Sequence, residues 1–509
     1  MRWFCAWLLL ALGCRVFGGV ESPAKPNILI LYADDMGFGD LRANHPESKI
    51  PTPNLDKLAA EGMRFLDGHS SSGICTPSRY ALLTGRYHWR KFHQITQAWD
   101  DCVISPERLT LPEMLREKGY KTAHIGKWHL GFDWEAIRNK GAKPIVDGKR
   151  VVETPQSFDW SRKVPNGPLD HGFDYSFTDS VINFPPYGWI ENDRLVKAPD
   201  VMMDTARWKP VKEGNWECRP GPMVKGWDPY ENLPMLTEKA VGYIRNQAES
   251  EQPFFLYFAL PSPHAPIIPN DEFDGKSGAG AYGDFVYESD DACGQLLAAL
   301  DEIGKADETI VIFSADNGSE RYAYERDEKY DHWSSGPFRG LKRDIYEGGH
   351  HVPFLIRWPG VAEAGSVSDA LVSQVDVMAT LAAVVGADLP DDQAEDSHDM
   401  LPVLKGEEKA VRETHVHNTW ANGYAIRRGD WVLVNVPKVA GRGGQVDRKW
   451  AKKHGYPVEK AKVGMLYHLK EDIGQKHDVS AERPELVEEM TALLKKLRKQ
   501  GYSAPRLEK

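Results

Sequence analysis

The stretch Asn27–Asp35 reads NILILYADD, an apolar run to Tyr32 that stops at two carboxylates, Asp34 and Asp35. A run with no polar alternation marks a strand buried on both faces, the habit of parallel sheets covered by helices. Three further stretches behave alike. The strand pattern Lys121 to Ile125 precedes Lys127 and His129, Pro253 to Leu260 (PFFLYFAL) precedes His264, and Thr309 to Phe313 (TIVIF) precedes Asp316-Asn317. Helix signals alternate with them. Thr52-Pro53 opens a helix stopped at Gly62, Thr110-Leu-Pro-Glu113 is a capping box for a helix ending at Gly119, and a long helical pattern runs from Asp284 to Ile303. This rhythm predicts an α/β fold: a large, mostly parallel sheet sandwiched by helices. In such sheets ligands bind at the carboxyl ends of the strands, so four strands deliver acidic, amide, lysine and histidine groups to one edge.

The oxygen donors Asp34, Asp35, Asp316 and Asn317 favour Ca²⁺, or Mg²⁺, over zinc. Taken alone, Asp34-Asp35 and Asp316-Asn317-Gly318 also read as plain turns. The 509 residues carry a formal charge of −11, with 41% hydrophobic and 27% charged residues, an ordinary globular composition. An acidic chain without a basic field excludes a non-specific nucleic-acid binder, and an anionic substrate requires positive charge gathered at one site. The mean hydropathy of −0.49 and the absence of long apolar runs exclude a membrane span beyond the N-terminus.

The N-terminus supplies an address. Met1-Arg2, the apolar run Trp3 to Leu12 and small residues at Gly13, Gly18 and Gly19 read as a signal peptide over 1–24, giving a periplasmic or secreted protein. Lipoprotein anchoring at Cys14 is disfavoured by Ala11, where Leu is usual. Cys75, Cys102, Cys218 and Cys293 do not form a disulfide framework. The single Asn-x-Ser/Thr, at Asn317, overlaps the metal-ligand candidates, which fits a bacterial exported protein better than a lysosomal one.

The decisive motif is Cys75-Thr76-Pro77-Ser78-Arg79, followed by Ala81-Leu-Leu-Thr84-Gly85-Arg86. Pro77 suits the first turn of a helix ending at Gly85, which places Cys75 at a helix N-terminus where an anion is stabilised. Arg79 stands one turn on. CTPSR followed by LLTGR resembles the signature of type I sulfatases of the alkaline-phosphatase superfamily. YADDMGFGD, GKWHLG, Pro263-His264-Ala265-Pro266, SADNGS and GPFRGLKRDIYEGG occur in the same order as in that family, from about residue 26 to 360. The segment HGFDYSF from His171 is most similar to the branch holding arylsulfatase A and N-acetylgalactosamine-6-sulfatase.

The resemblance implies an alkaline-phosphatase-like catalytic domain over 25–420 and a C-terminal subdomain over 421–509. It implies that a maturation enzyme oxidises Cys75 to Cα-formylglycine, whose aldehyde hydrate is the nucleophile. One hydroxyl attacks sulfur; the other later loses its proton, expelling sulfate and restoring the aldehyde. Position by position, Asp34, Asp35, Asp316 and Asn317 match the Ca²⁺ ligands, with residue 75 also touching the metal. Arg79 holds the hydrate, Lys127 and Lys342 bind sulfate oxygens, His129 takes the second hydroxyl's proton, and His264 protonates the leaving oxygen, shared with Lys342. Neighbouring Arg339 and Arg343 leave a register alternative for Lys342. His124, His350 and His351 read as packing residues.

The implied reaction is hydrolysis of sulfate monoesters, on aryl sulfates or a sulfated glycan. Sixteen Trp residues suit stacking on sugars, and Trp89, His171 and Trp189 fall in stretches that shape the substrate pocket in the family. A 6-O-sulfated galacto-configured sugar follows by analogy. The alternatives are a phosphate or phosphonate ester hydrolase of the same superfamily and a non-catalytic exported glycan-binding protein. At the chain's end, Tyr424–Ile426 and Trp431–Val434 read as a hairpin, Gly441 to Gly464 as a basic loop, and Ser480 as the cap of a final amphipathic helix. Together they predict a small antiparallel sheet plus helix.

Overall fold

The computed structural model describes residues 25–505 apart from 148–149, 205–207, 209, 420–422, 437–445 and 459–460. The expected signal peptide, Cys14 and the expected boundary at 420/421 lie outside the described residues.

The apolar runs build the centre of a ten-stranded sheet. From edge to edge its strands are Ser366–Ser373, Met63–His69, Phe354–Arg357, Thr309–Ala315, Asn27–Ala33, Phe254–Ala259, Lys121–Gly126, Tyr175–Thr178, Ile190–Glu191 and Arg194–Leu195. The five from Thr309–Ala315 to Tyr175–Thr178 are parallel to one another, while Phe354–Arg357 runs against both neighbours. Every residue of Asn27–Ala33, Phe254–Ala259 and Thr309–Ala315 is buried, because helices cover both faces. One apolar cluster packs Tyr80, Leu83, Leu111, Leu115 and Leu381 against one face; the other packs Leu55, Leu236, Ile244, Leu296 and Leu300 against the opposite face.

The expected helix signals operate. Thr110 accepts from Glu113 N and Glu113 answers Thr110 N, the predicted capping box. The helix Cys75–Thr84 ends on Gly85 in the left-handed conformation. The long helix runs Gly280–Glu302, a turn earlier than its sequence pattern indicated.

A four-stranded antiparallel sheet, Thr414–Asn418, Tyr424–Arg428, Trp431–Asn435 and Met465–His468, forms the smaller module. Its first strand precedes residue 421, so the module begins ahead of the expected boundary. The C-terminal helix Pro484–Gln500 lays Met490, Leu494 and Leu497 against it. Ser480 does not cap that helix: its backbone N–H donates to Asp478, and the helix starts at Pro484 after Arg483. Nor is the stretch from 441 to 464 all loop, since Asp447 caps a short helix, Arg448–Lys453, whose Trp450 is buried.

Parallel register brings the strand ends level: Ala33 lies opposite Ala315, Tyr32 opposite Ala259, and Ala259 opposite Gly126. Gly126 has φ of 115°, and a Cβ there would stand 1.9 Å from Ala259 O. Only glycine lets the chain turn there and deliver Lys127. Gly126→Ala is expected to destabilise the protein by at least about 2 kcal/mol, read as a lowered urea midpoint, with loss of activity exceeding loss of folded protein.

Candidate active site

Cys75 begins its helix and is 2% exposed, deep beneath the sheet's carboxyl edge. Single ligand atoms of Cys75, Asp34 and Asp316 lie within 4.8 Å of one another, as do those of Asp34, Asp35 and His264. Around them the charges are paired. Arg79 donates from Nε and Nη2 to Asp316 Oδ2 at 3.0 and 2.8 Å, and its Nη2 stands 3.6 Å from Asp34 Oδ1. Lys127 Nζ donates to Asp34, and Lys342 Nζ donates to Asp35 Oδ2 at 2.7 Å. Asn317 Nδ2 donates to Asp35 Oδ1 at 2.7 Å, and Asp35 N to Asp316 Oδ1 at 3.2 Å. Of the three cations in that segment it is Lys342 that reaches the carboxylates, whereas Arg343 turns to Glu320 and Arg339 lies over the Tyr346 ring.

Two of these residues sit in strained backbone. Asp35 and His129 have φ of 64° and 52°, uncommon for side chains other than glycine. Each costs about 1–3 kcal/mol, a cost that concentrates at functional sites. Tyr282 holds the first by donating to Asp35 O at 2.9 Å, and Thr76 holds the second by donating to His129 O at 2.9 Å.

Burial and charge set the protonation states. Burial, with Asp34 beside it, lifts Asp316 to about 7. Burial pushes Asp35 the same way, but Lys342 and His264 overcome it and hold that carboxyl well below the usual range. Burial lowers His264 to about 4, helped by Lys342, and holds His129 well below the ordinary histidine range with help from Lys127 and Arg79. Both imidazoles are neutral in the free site. Burial raises the Cys75 thiol despite Lys127 and Lys342, so at neutral pH it is protonated and a weak nucleophile.

The donor set can hold a hard cation. Asp34 Oδ1 and Asn317 Oδ1 are buried oxygens with no hydrogen-bond partner, and both belong to the cluster of carboxylates. Unpaired buried oxygens are costly and call for a ligand.

The structure brings together Asp34, Asp35, Cys75, Arg79, Lys127, His264, Asp316, Asn317 and Lys342. His129, adjacent through Lys127, offers an unpartnered Nδ1 while its Nε2 meets Thr96 O. The three expected substrate residues are placed otherwise. Trp89 stacks on Tyr87 and lines a groove with Arg86, Arg90 and Lys495 that includes none of the charged cluster. Trp189 stacks on Phe177 and meets Trp227. His171 lies over Trp128, 3.0 Å from Asn166 Oδ1. Each ring is engaged by these neighbours, none of which belongs to the charged cluster. Sequence reasoning missed residues that do flank it. Phe184 packs edge-on against His129, Arg219 lies 3.7 Å over Phe184, and Glu217 contributes to the field at His264. Neither periodicity nor motif spacing singles these out, because all three lie in irregular chain.

A sulfatase family model matches residues 26–387. The chain belongs to the sulfatase family. It is 31% identical to the N-acetylgalactosamine-6-O-sulfatase of Bacteroides thetaiotaomicron, over 94% of each chain. It is 35% identical to human N-acetylgalactosamine-6-sulfatase, covering 76% of this chain and 67% of that one. A solved structure described within the metabolism of multiple glycosaminoglycans by Bacteroides thetaiotaomicron has a TM-score of 0.78 at 29% identity, covering 94% of this sulfatase and 100% of that chain. Membership fixes the reaction class, hydrolysis of sulfate esters. No described helix is long and apolar enough to cross a membrane.

Arg79 is the cation that pairs with buried Asp316. Arg79→Ala would leave buried Asp316 without its partner and is expected to cost roughly 3–5 kcal/mol. Urea denaturation in a chelating buffer reads it; an unchanged midpoint would refute the assigned pairing.

Proposed function

We propose that this sulfatase removes the 6-O-sulfate of N-acetylgalactosamine in sulfated glycans, after export, with residue 75 matured to formylglycine and Ca²⁺ bound by Asp34, Asp35, Asp316 and Asn317. The observation that carries the chemistry is the convergence of Cys75 with Asp34 and Asp316 inside 4.8 Å, beneath Lys342, Lys127 and Arg79. The names of the relatives, one of which matches over 94% of both chains, support the sugar. The apolar N-terminal segment, Trp3 to Leu12 behind Arg2, supports the export.

When present, the cation supplies Lewis-acid stabilisation of sulfate oxygens and the oxidised residue 75 supplies a regenerable oxygen nucleophile. This chain's side chains do the rest. Lys127 and Lys342 neutralise a tetrahedral anion in a site where water no longer screens them. Arg79, fixed by two bonds to Asp316, keeps that carboxylate aimed at residue 75. His129 Nδ1, buried and unpartnered, accepts a proton from residue 75. His264 donates its Nδ1–H to Ala265 O at 2.6 Å, so its Nε2 faces Asp35 at 3.7 Å and is the atom that passes a proton to the leaving oxygen. A neutral His264 must first gain that proton, and the negative charge of an arriving sulfate ester favours the gain.

A cysteine thiolate mechanism is disfavoured by the raised thiol, and a phosphate-ester activity by the family assignment. Cys75→Ala is expected to abolish aryl sulfate turnover with an unchanged far-UV spectrum and melting temperature; retained turnover would remove residue 75 from the mechanism. Chelation is expected to lower activity at least about 10²-fold, with recovery on adding Ca²⁺. Sulfate release from defined monosaccharides should be at least about tenfold faster for N-acetylgalactosamine-6-sulfate than for its 4-sulfate or for N-acetylglucosamine-6-sulfate. Faster cleavage of an aryl phosphate than of an aryl sulfate would overturn the reading.

A further inference from the structure

A second cluster of ligating side chains lies apart from the oxygen-lined site. His69 closes the strand Met63–His69, His350 and His351 follow the turn Glu347–Gly349, and His415 and His417 alternate on the strand Thr414–Asn418. All five are buried at the seam between the large sheet and the small one. The ring centroids of His69 and His415 are 4.9 Å apart, and those of His350 and His417 are 3.4 Å apart.

Five imidazoles in van der Waals contact are a poor core, because each brings two nitrogens that must be satisfied. Three nitrogens are not: His350 Nε2, His415 Nε2 and His417 Nδ1 are buried without a hydrogen-bond partner. The partners of the other nitrogens show which atoms carry lone pairs. His69 Nε2 lies 2.7 Å from Asp67 Oδ1, and a carboxylate only accepts, so His69 Nδ1 holds a lone pair. That lone pair faces His350 Nδ1 at 3.0 Å. His417 Nε2 donates to Ile345 O at 2.7 Å, which leaves its Nδ1 as an acceptor too. His415 Nδ1 meets the Tyr87 hydroxyl at 3.2 Å, while its Nε2 has no protein partner.

We propose that His69, His350 and His415 form a buried site for a divalent first-row transition ion, Zn²⁺ by its chemistry, distinct from the hard-cation site. One ring nitrogen from each lies within 4.8 Å of the others, so a small inward shift of the rings reaches the roughly 3.3 Å separation of tetrahedral ligands at about 2.0–2.1 Å. Neutral imidazoles are the ligating form, and burial holds all three below the ordinary histidine range.

The surroundings match the outer partners of zinc-binding histidines. Asp67 orients His69 and is itself held by two bonds of 2.8 Å from Arg427. Glu347 stands 3.9 Å from both His69 Nδ1 and His350 Nε2, placed to add negative charge beside the ion or to complete the coordination. Asp67 and Glu347 together outnumber the one guanidinium beside them, so the pocket is electrostatically prepared for a cation. The ion would cross-link three chain segments far apart in sequence, one of which leads directly into Cys75.

The full-length protein tests this without reference to turnover. After chelation and return to millimolar Ca²⁺, which occupies the oxygen donors, Zn²⁺ is titrated calorimetrically and the bound metal measured by elemental analysis. About one Zn²⁺ per chain is expected, with a raised melting temperature, and Co²⁺ in its place should give the visible absorption of a tetrahedral nitrogen-ligated ion. His415→Gln and His350→Gln should each weaken Zn²⁺ binding at least about 100-fold, Asp67→Asn about 10–100-fold, and Asp316→Asn not at all. If a histidine variant fails to fold, wild-type stoichiometry and the Co²⁺ spectrum still decide. No Zn²⁺ binding by the wild type, or binding lost in Asp316→Asn and kept in His415→Gln, would show the histidines to be packing alone.

Discussion

The site depends on mutual neutralisation of charge in a place with no water to do it. Three carboxylates, Asp34, Asp35 and Asp316, and three cations, Arg79, Lys127 and Lys342, are almost fully buried around residue 75. Any one alone would carry a desolvation cost of several kcal/mol, and removing any one leaves its partner exposed to that cost. The arrangement survives because each carboxylate has a cation within hydrogen-bond reach, and because two oxygens, on Asp34 and Asn317, remain for a ligand. A protein of net charge −11 thus handles an anion by collecting its positive charge at one point.

That collection follows from the sheet. Parallel strands end on the same edge, so residues one or two positions past the ends of Asn27–Ala33, Lys121–Gly126 and Thr309–Ala315 meet in space although far apart in sequence. Antiparallel strands would have sent alternate ends to opposite edges. The remaining precision comes from backbone that ordinary residues avoid, at Asp35, His129 and Gly126. Strain of this kind persists only where surrounding contacts over-determine it, as the bonds from Tyr282 and Thr76 do.

Much of this was legible in the sequence because it is written in local signals: unbroken apolar runs for buried strands, a capping box at Thr110, Gly85 as a helix stop, and acidic or basic residues just past each strand. The C-terminal hairpin was legible for the same reason, through short apolar strands on either side of Gly429. What local signals do not encode is where a long side chain points from irregular structure. Trp89, His171 and Trp189 share composition with carbohydrate-stacking residues, yet each ring is consumed by an aromatic seam, with Tyr87, Trp128 and Phe177 respectively. Phe184, Arg219 and Glu217 approach the histidines from a stretch with no periodicity at all. Ser480 had the chemistry of a helix cap, but Asp478 takes its N–H and Pro484 makes the better first turn.

The histidine seam explains a feature of the catalytic geometry that the sheet alone does not. Cys75 and Lys342 come from segments that never pair as strands, yet both reach the same buried cluster of carboxylates. Their separation is set by a backbone relay: Lys342 N donates to Ser319 O, Arg343 N to Gly73 O, and Ser70 N to His350 O, at 2.9, 2.7 and 2.8 Å. The last of these bonds sits at the histidine cluster, and His417 reaches the same loop through Ile345 O. Lys342 and Cys75 are therefore referenced to one hydrogen-bonded block, buried beneath the small sheet and built from the residues that frame the imidazoles. The C-terminal module, remote from the site by sequence, is joined to this block through His417.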